Sequence, residues 1–124
     1  MKVLIADDEI NIILLIKSLI DRQKTDVEIA GEAGDGITAL EMVRQLKPDV
    51  VITDIRMPGM NGMDLIRHVR EEQIPVEFVI ISGYSEFEYA RSAIQYGVSD
   101  YLLKPIKKDE LNDVLAKLES QRAS

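Results

Sequence analysis

Short β-rich apolar runs alternate with longer stretches of helical period along the whole chain, and this alternation leaves few folds open. The runs Lys2–Ala6, Val27–Gly31, Asp49–Thr53, Glu77–Ile81 and Asp100–Leu103 are mostly aliphatic and bounded by turn residues, so they read as strands. Between them the spacing predicts helices near residues 9–22, 36–47, 62–72 and 86–96, with a last one over 107–119. In that last segment Leu111, Val114, Leu115 and Leu118 follow the i, i+3, i+4, i+7 spacing of one buried face. Strand–helix alternation of this kind builds a parallel sheet covered by helices on both sides. Right-handed crossovers then favour a doubly wound α/β sheet of five parallel strands in the order 2-1-3-4-5, with its reversal point between the first and third strands. A chain of 124 residues makes one domain, expected over 1–119, with 120–124 a frayed tail or the start of a linker.

The strand ends carry the chemistry. Val3-Leu4-Ile5-Ala6 stops at Asp7-Asp8, and Val50-Val51-Ile52-Thr53 stops at Asp54. As parallel neighbours these runs bring three carboxylates to one sheet edge, where a like-charge pair ~4 Å apart repels by ~4 kcal/mol at an effective dielectric of ~20. A hard divalent cation with oxygen ligands, most naturally Mg2+, relieves that repulsion. Ser82, directly after Phe78–Ile81, and Lys104, directly after Tyr101–Leu103, reach the same edge. The second strand delivers no polar group there.

Composition excludes several partners. A net charge of -7 argues against nucleic-acid binding by this segment, because phosphate contacts need clustered Lys and Arg. The absence of cysteine fits a reducing interior, and the longest aliphatic run, Ile12–Ile16, is too short to span a bilayer. A cytoplasmic protein without a membrane partner is expected. Gly31, Gly34 and Gly36 have neither dinucleotide nor NTPase phosphate-loop spacing. The acidic Asp7-Asp8-Glu9 stands where a flavin phosphate would need neutral hydroxyls. Met57, Met60 and Met63 read as packing, since thioethers suit soft metals. His68, the only histidine, lies on a charged helix and reads as a surface residue.

Taken in order, Asp7-Asp8-Glu9, Asp54 followed by Met57-Pro58-Gly59 and Gly62, Ser82-Gly83, and Lys104-Pro105 resemble the receiver domain of bacterial two-component response regulators. The resemblance runs from Lys2 to about Leu118 and implies the flavodoxin-like receiver fold. It also implies that Asp54 accepts a phosphoryl group from a sensor histidine kinase. Mg2+ would be held by Asp8, Asp54 and the backbone carbonyl of Arg56, with Asp7 acting through water. Lys104 and the Ser82 hydroxyl would each bind a phosphoryl oxygen, and Lys104-Pro105 would be a cis peptide. Such a chain is no enzyme in its own right and carries only self-phosphorylation and self-dephosphorylation. A rival class, the haloacid-dehalogenase-like phosphatases, needs a second aspartate two residues after the nucleophile, where this chain has Arg56.

The same resemblance implies an output. Five of the six aromatics, Tyr84, Phe87, Tyr89, Tyr96 and Tyr101, lie between residues 84 and 101. By family analogy Ser82 and Tyr101 form the switch, Tyr101 swinging inward as Ser82 moves toward the phosphoryl group. The helix over 86–96, the fifth strand and the last helix would be the signalling surface, acting through a homodimer. Arg56 and Tyr84 flank the path of the hydrolytic water in family members, so slow self-dephosphorylation is expected. The runs Ser82–Ala90 and Asp100–Pro105 resemble receivers joined to AraC-type DNA-binding domains. DNA would then be reached only through a domain absent from this chain, in a transcription regulator; a stand-alone receiver working by protein contact is the alternative.

Overall fold

The computed structural model describes residues 1–83 and 93–123. Its elements are β1 (Lys2–Ala6), α1 (Ile10–Leu19), β2 (Glu28–Ala33), α2 (Gly36–Leu46), β3 (Val50–Asp54), α3 (Gly62–Glu71), β4 (Glu77–Ser82), a 3-10 turn (Ala93–Tyr96), β5 (Asp100–Leu103) and α4 (Lys108–Ala123). The five strands form one sheet in the order β2-β1-β3-β4-β5, and every neighbouring pair is parallel. The doubly wound order expected from the alternation is therefore the one observed.

Period-two alternation along the strands divides the core into two layers. Leu4, Ala6, Val51, Phe78 and Ile80 face Leu40 and Val43 of α2 and Leu65, Ile66 and Val69 of α3. Val3, Ile5, Val50, Ile52, Val79 and Ile81 face Ile13 and Ile16 of α1 and the Leu111, Val114, Leu115, Leu118 stripe of α4. Central β3 is buried at every position, which is why its sequence is a continuous apolar run rather than an alternating one.

Several boundaries differ from those read in the sequence, each for a tertiary reason. Strand β2 runs on to Ala33 because a bulge between Val3 and Leu4 lets Gly31, Glu32 and Ala33 keep pairing with β1. Helix α1 stops at Leu19, short of residue 22. There buried Asn112 of α4 donates to the Leu19 carbonyl and accepts from the Asp21 N–H, both at 2.8 Å. Helix α4 continues to Ala123, through the stretch expected to fray or begin a linker. Its last turns are tied down where Glu119 Oε2 accepts from the Asp26 N–H at 2.9 Å and Arg122 pairs with Asp49 at 2.9 Å. Of the helix expected over 86–96, only the 3-10 turn falls within the described residues. Tyr84, Phe87 and Tyr89 lie outside them.

Candidate functional site

The β1–β3 register pairs Ala6 with Thr53, so Asp7 and Asp54 leave the sheet side by side. Asp54 and Ser82 are the final residues of β3 and β4 rather than the first beyond them, paired with Ile81 and Leu103. Lys104 extends the ladder by one step, its N–H donating to the Ser82 carbonyl at 2.8 Å. Asp7 does the same on the other side, donating to the Ala33 carbonyl at 2.9 Å. Backbone pairing thus fixes the origin of each side chain before any of them interacts.

The side chains converge. Lys104 Nζ lies 3.2 Å from Asp54 Oδ2 and 4.0 Å from Asp7 Oδ2. Asp54 Oδ1 accepts from the Ile55 N–H at 2.8 Å, and Asp7 Oδ1 accepts from the Glu9 N–H at 2.8 Å. Asp7, Asp54 and Ser82 are 1%, 4% and 0% exposed, whereas Asp8, Glu9 and Arg56 are exposed. Asp7, Asp8 and Glu9 each offer a carboxylate oxygen within 4.8 Å of the others. Glu9 was not singled out from the sequence as a site residue, although three consecutive acids at a strand end were the available signal. The Lys104-Pro105 peptide is cis, as the resemblance implied.

Among the described residues, Asp7, Asp8, Glu9 and Asp54 gather near the single ammonium of Lys104, and the electrostatics show the imbalance. Burial pushes the Asp7 carboxyl up to about 6, helped by the charges of Asp54 and Asp8 and opposed by the Glu9 amide and Lys104. Burial would lower Lys104, yet Asp54, through its charge and hydrogen bond, and Asp7 outweigh it and hold the ammonium above its usual value. Among the described residues, two buried oxygens, Asp7 Oδ2 and Ser82 Oγ, have no hydrogen-bond partner. Buried polar atoms in native proteins are ordinarily satisfied, so both oxygens have capacity for a ligand or a water. An unsatisfied anionic oxygen amid carboxylates fits a hard cation, and a hydroxyl on the strand end paired with Lys104 fits an anion's oxygen.

The loop after β3 is held closely. Gly62 at the start of α3 donates to the Ile55 carbonyl at 2.8 Å, and a Cβ there would stand 2.2 Å from the Asp54 carbonyl oxygen. Only glycine lets α3 begin so near the site. Met57, Met60 and Met63 pack against the core layer beneath α2 and α3, as expected of packing residues. His68 lies in the last turn of α3, at the end away from Asp54. No helix is long and apolar enough to cross a membrane among the described residues.

Comparison with known proteins agrees with this geometry. The family model for the response regulator receiver domain matches residues 3–116. The transcriptional regulatory protein YesN of Bacillus subtilis is 39% identical over 124 residues, covering 97% of this chain and 34% of that protein. Transcriptional regulatory protein HptR of Staphylococcus aureus is 39% identical over 117 residues, covering 94% of this chain and 46% of its own length. The chain therefore spans between about a third and a half of these curated relatives. Among solved structures, the REC domain of AraT, a response regulator from Geobacillus stearothermophilus, superposes with a TM-score of 0.92 at 41% identity, covering 98% of this chain and 95% of that one. A doubly wound sheet whose strand ends gather acids, a hydroxyl and a lysine, matched along nearly its whole length by these proteins, belongs to the family of two-component response regulator receiver domains.

Proposed function

We propose that Asp54 is the phosphoacceptor of this receiver and that Mg2+ is held by Asp7, Asp8, Asp54 and the backbone carbonyl of Arg56. The carrying observation is the pairing of buried Asp54 with Lys104 at 3.2 Å beside the unsatisfied Asp7 Oδ2 and Ser82 Oγ. When bound, the ion offsets the charge of the carboxylates and of the phosphoryl oxygens. An Asp54 carboxylate oxygen attacks phosphorus as the nitrogen–phosphorus bond of a sensor kinase's phosphohistidine breaks, its electron pair staying on the imidazole. The donor arrives already activated, so the chain supplies positioning and charge neutralisation rather than a base. Lys104 then pairs with one phosphoryl oxygen, and Ser82 Oγ donates to another.

Those two contacts bias a switch. Moving an equilibrium from 1:99 to 99:1 takes about 5.5 kcal/mol of differential contact, and two charge-assisted hydrogen bonds at ~1.5–3 kcal/mol each approach it. Tyr101, on edge strand β5 and 36% exposed, reports the change to the surface of β5 and α4, where a second copy docks. The chain acts in the cytoplasm and controls transcription through an AraC-type DNA-binding domain beyond it. Its own chemistry is confined to gaining and losing the phosphoryl group.

Incubation with Mg2+ and acetyl phosphate, read by intact mass, tests the assignment. Wild type gains one phosphoryl group and Asp54→Ala gains none. Uptake that survives Asp54→Ala overturns the acceptor, and sustained phosphate release from many monoesters favours a phosphatase instead.

A further inference from the structure

Strand β2 sends no side chain to the site, yet the helix that follows it touches the loop that does. Gly36 is the buried first residue of α2. It is held in place by Asp35, whose Oδ1 accepts from the Thr38 N–H at 2.7 Å and whose Oδ2 accepts from Thr38 Oγ1 at 2.9 Å. A Cβ on Gly36 would lie 1.9 Å from the Met60 carbonyl oxygen, 2.6 Å from its carbonyl carbon and 2.7 Å from its Cβ. Two of these are main-chain atoms, which no rotamer change can move away. The 55–61 loop therefore rests directly on bare α2 backbone at one point and on Gly62 at the other. Between those supports the Met60 N–H donates to the Pro58 carbonyl at 2.9 Å, closing a tight turn in the loop that carries Arg56. Gly34, two residues upstream, differs: a Cβ there meets nothing within 4 Å.

We propose that Gly36 is a positioning residue for the phosphoacceptor site: the side chain it lacks sets how closely the 55–61 loop seats against α2, and so where the Arg56 carbonyl stands relative to Asp54. This rests on the metal site proposed above. A methyl group at position 36 displaces the Met60 carbonyl by about 1.5 Å before ordinary contact distance is restored, a movement large for a ligand set that demands near-octahedral geometry. The contribution of β2 and α2 to the site is thus a shape rather than a functional group.

The test compares wild type, Gly36→Ala and Gly34→Ala. Mg2+ binding is followed without phosphodonor by the amide NMR shifts of residues 54–57, and separately as the Mg2+ dependence of phosphorylation by acetyl phosphate. In Gly36→Ala the half-saturating Mg2+ concentration rises about tenfold in both measurements, the scale seen when support behind a metal ligand is lost. Gly34→Ala stays within about twofold of wild type by the same reasoning. A purely structural role lowers the unfolding midpoint of Gly36→Ala without moving the half-saturation point of the folded protein, and that result overturns the proposal. Should Gly36→Ala not fold in plain buffer, the same titrations are run in sucrose, which favours the compact state: a raised half-saturation point relative to wild type in sucrose supports the proposal and an unchanged one overturns it. Wild type showing no Mg2+-dependent shift at all would remove the metal site itself, a distinct outcome.

Discussion

Replacing Asp7 with asparagine is expected to stabilise the metal-free protein, and the pH dependence of that gain tests the electrostatic account of the site. Asp7 is 1% exposed, and its carboxyl is pushed from 3.8 up to about 6, first by burial and then by Asp54 and Asp8. A group whose folded value lies above its unfolded one holds its proton more tightly when folded. Below about pH 4 both states are protonated and nothing is lost; between about pH 4 and pH 6 the unfolded chain ionises first, so stability falls. Above about pH 6 the full penalty stands, close to 3 kcal/mol at about 1.4 kcal/mol per pH unit. Asparagine keeps the shape and an oxygen to accept from the Glu9 N–H while carrying no charge. Urea unfolding in EDTA is therefore expected to show Asp7→Asn more stable than wild type by about 2–3 kcal/mol at pH 7.5 and equal to it near pH 4. Adding Mg2+ stabilises wild type by mass action and the variant less. A variant no more stable than wild type at neutral pH, or a difference that ignores pH, refutes the reasoning.

Two further outcomes follow from other parts of the molecule. Asn112→Ala leaves the Leu19 carbonyl and the Asp21 N–H without their partner at the end of α1, and a loss of about 2–4 kcal/mol in urea unfolding is expected. Asp113→Ala, its well-exposed neighbour, is the control, and a loss for Asn112→Ala no larger than the control's contradicts the capping role. The phosphorylated protein is expected to persist for minutes or longer in Mg2+ buffer because Arg56 stands two residues beyond the acceptor. Decay within seconds, followed by intact mass after removal of the donor, would sink that idea.

Most of the fold was legible because it depends on patterns local to each segment. Aliphatic runs named the strands, and the Leu111–Leu118 stripe named the buried face of α4. What stayed hidden required distant partners. Nothing near Leu19 announces that α1 ends there, since Asn112 caps it from far along the chain. Residues 120–123 carry no apolar stripe to extend the helix, although Gln121, Arg122 and Ala123 favour one; Asp26 and Asp49 secure the end from loops that precede strands. The site was legible for the opposite reason. A parallel sheet turns strand ends into neighbours, so reading where Val51, Val79 and Leu103 lead was enough to bring Asp54, Ser82 and Lys104 together. Gly62 was flagged by its place after Asp54, but why it must be glycine, and the close approach of Gly36 to Met60, were out of reach because a missing side chain has no chemistry to read.

The attachment of α4 has a practical side. Asn112, Lys117, Glu119 and Arg122 fasten it to the end of α1, to Asp100, to Asp26 and to Asp49, so it is bolted along most of its length. A helix of 16 residues is about 24 Å long. A fluorophore or fused protein carried on a continuous helical extension of α4 would inherit a fixed heading relative to the sheet. Any reorientation of such a reporter would then signal release of those four fastenings, making the helix a ready-made pointer for an optical readout of how α4 sits on the sheet.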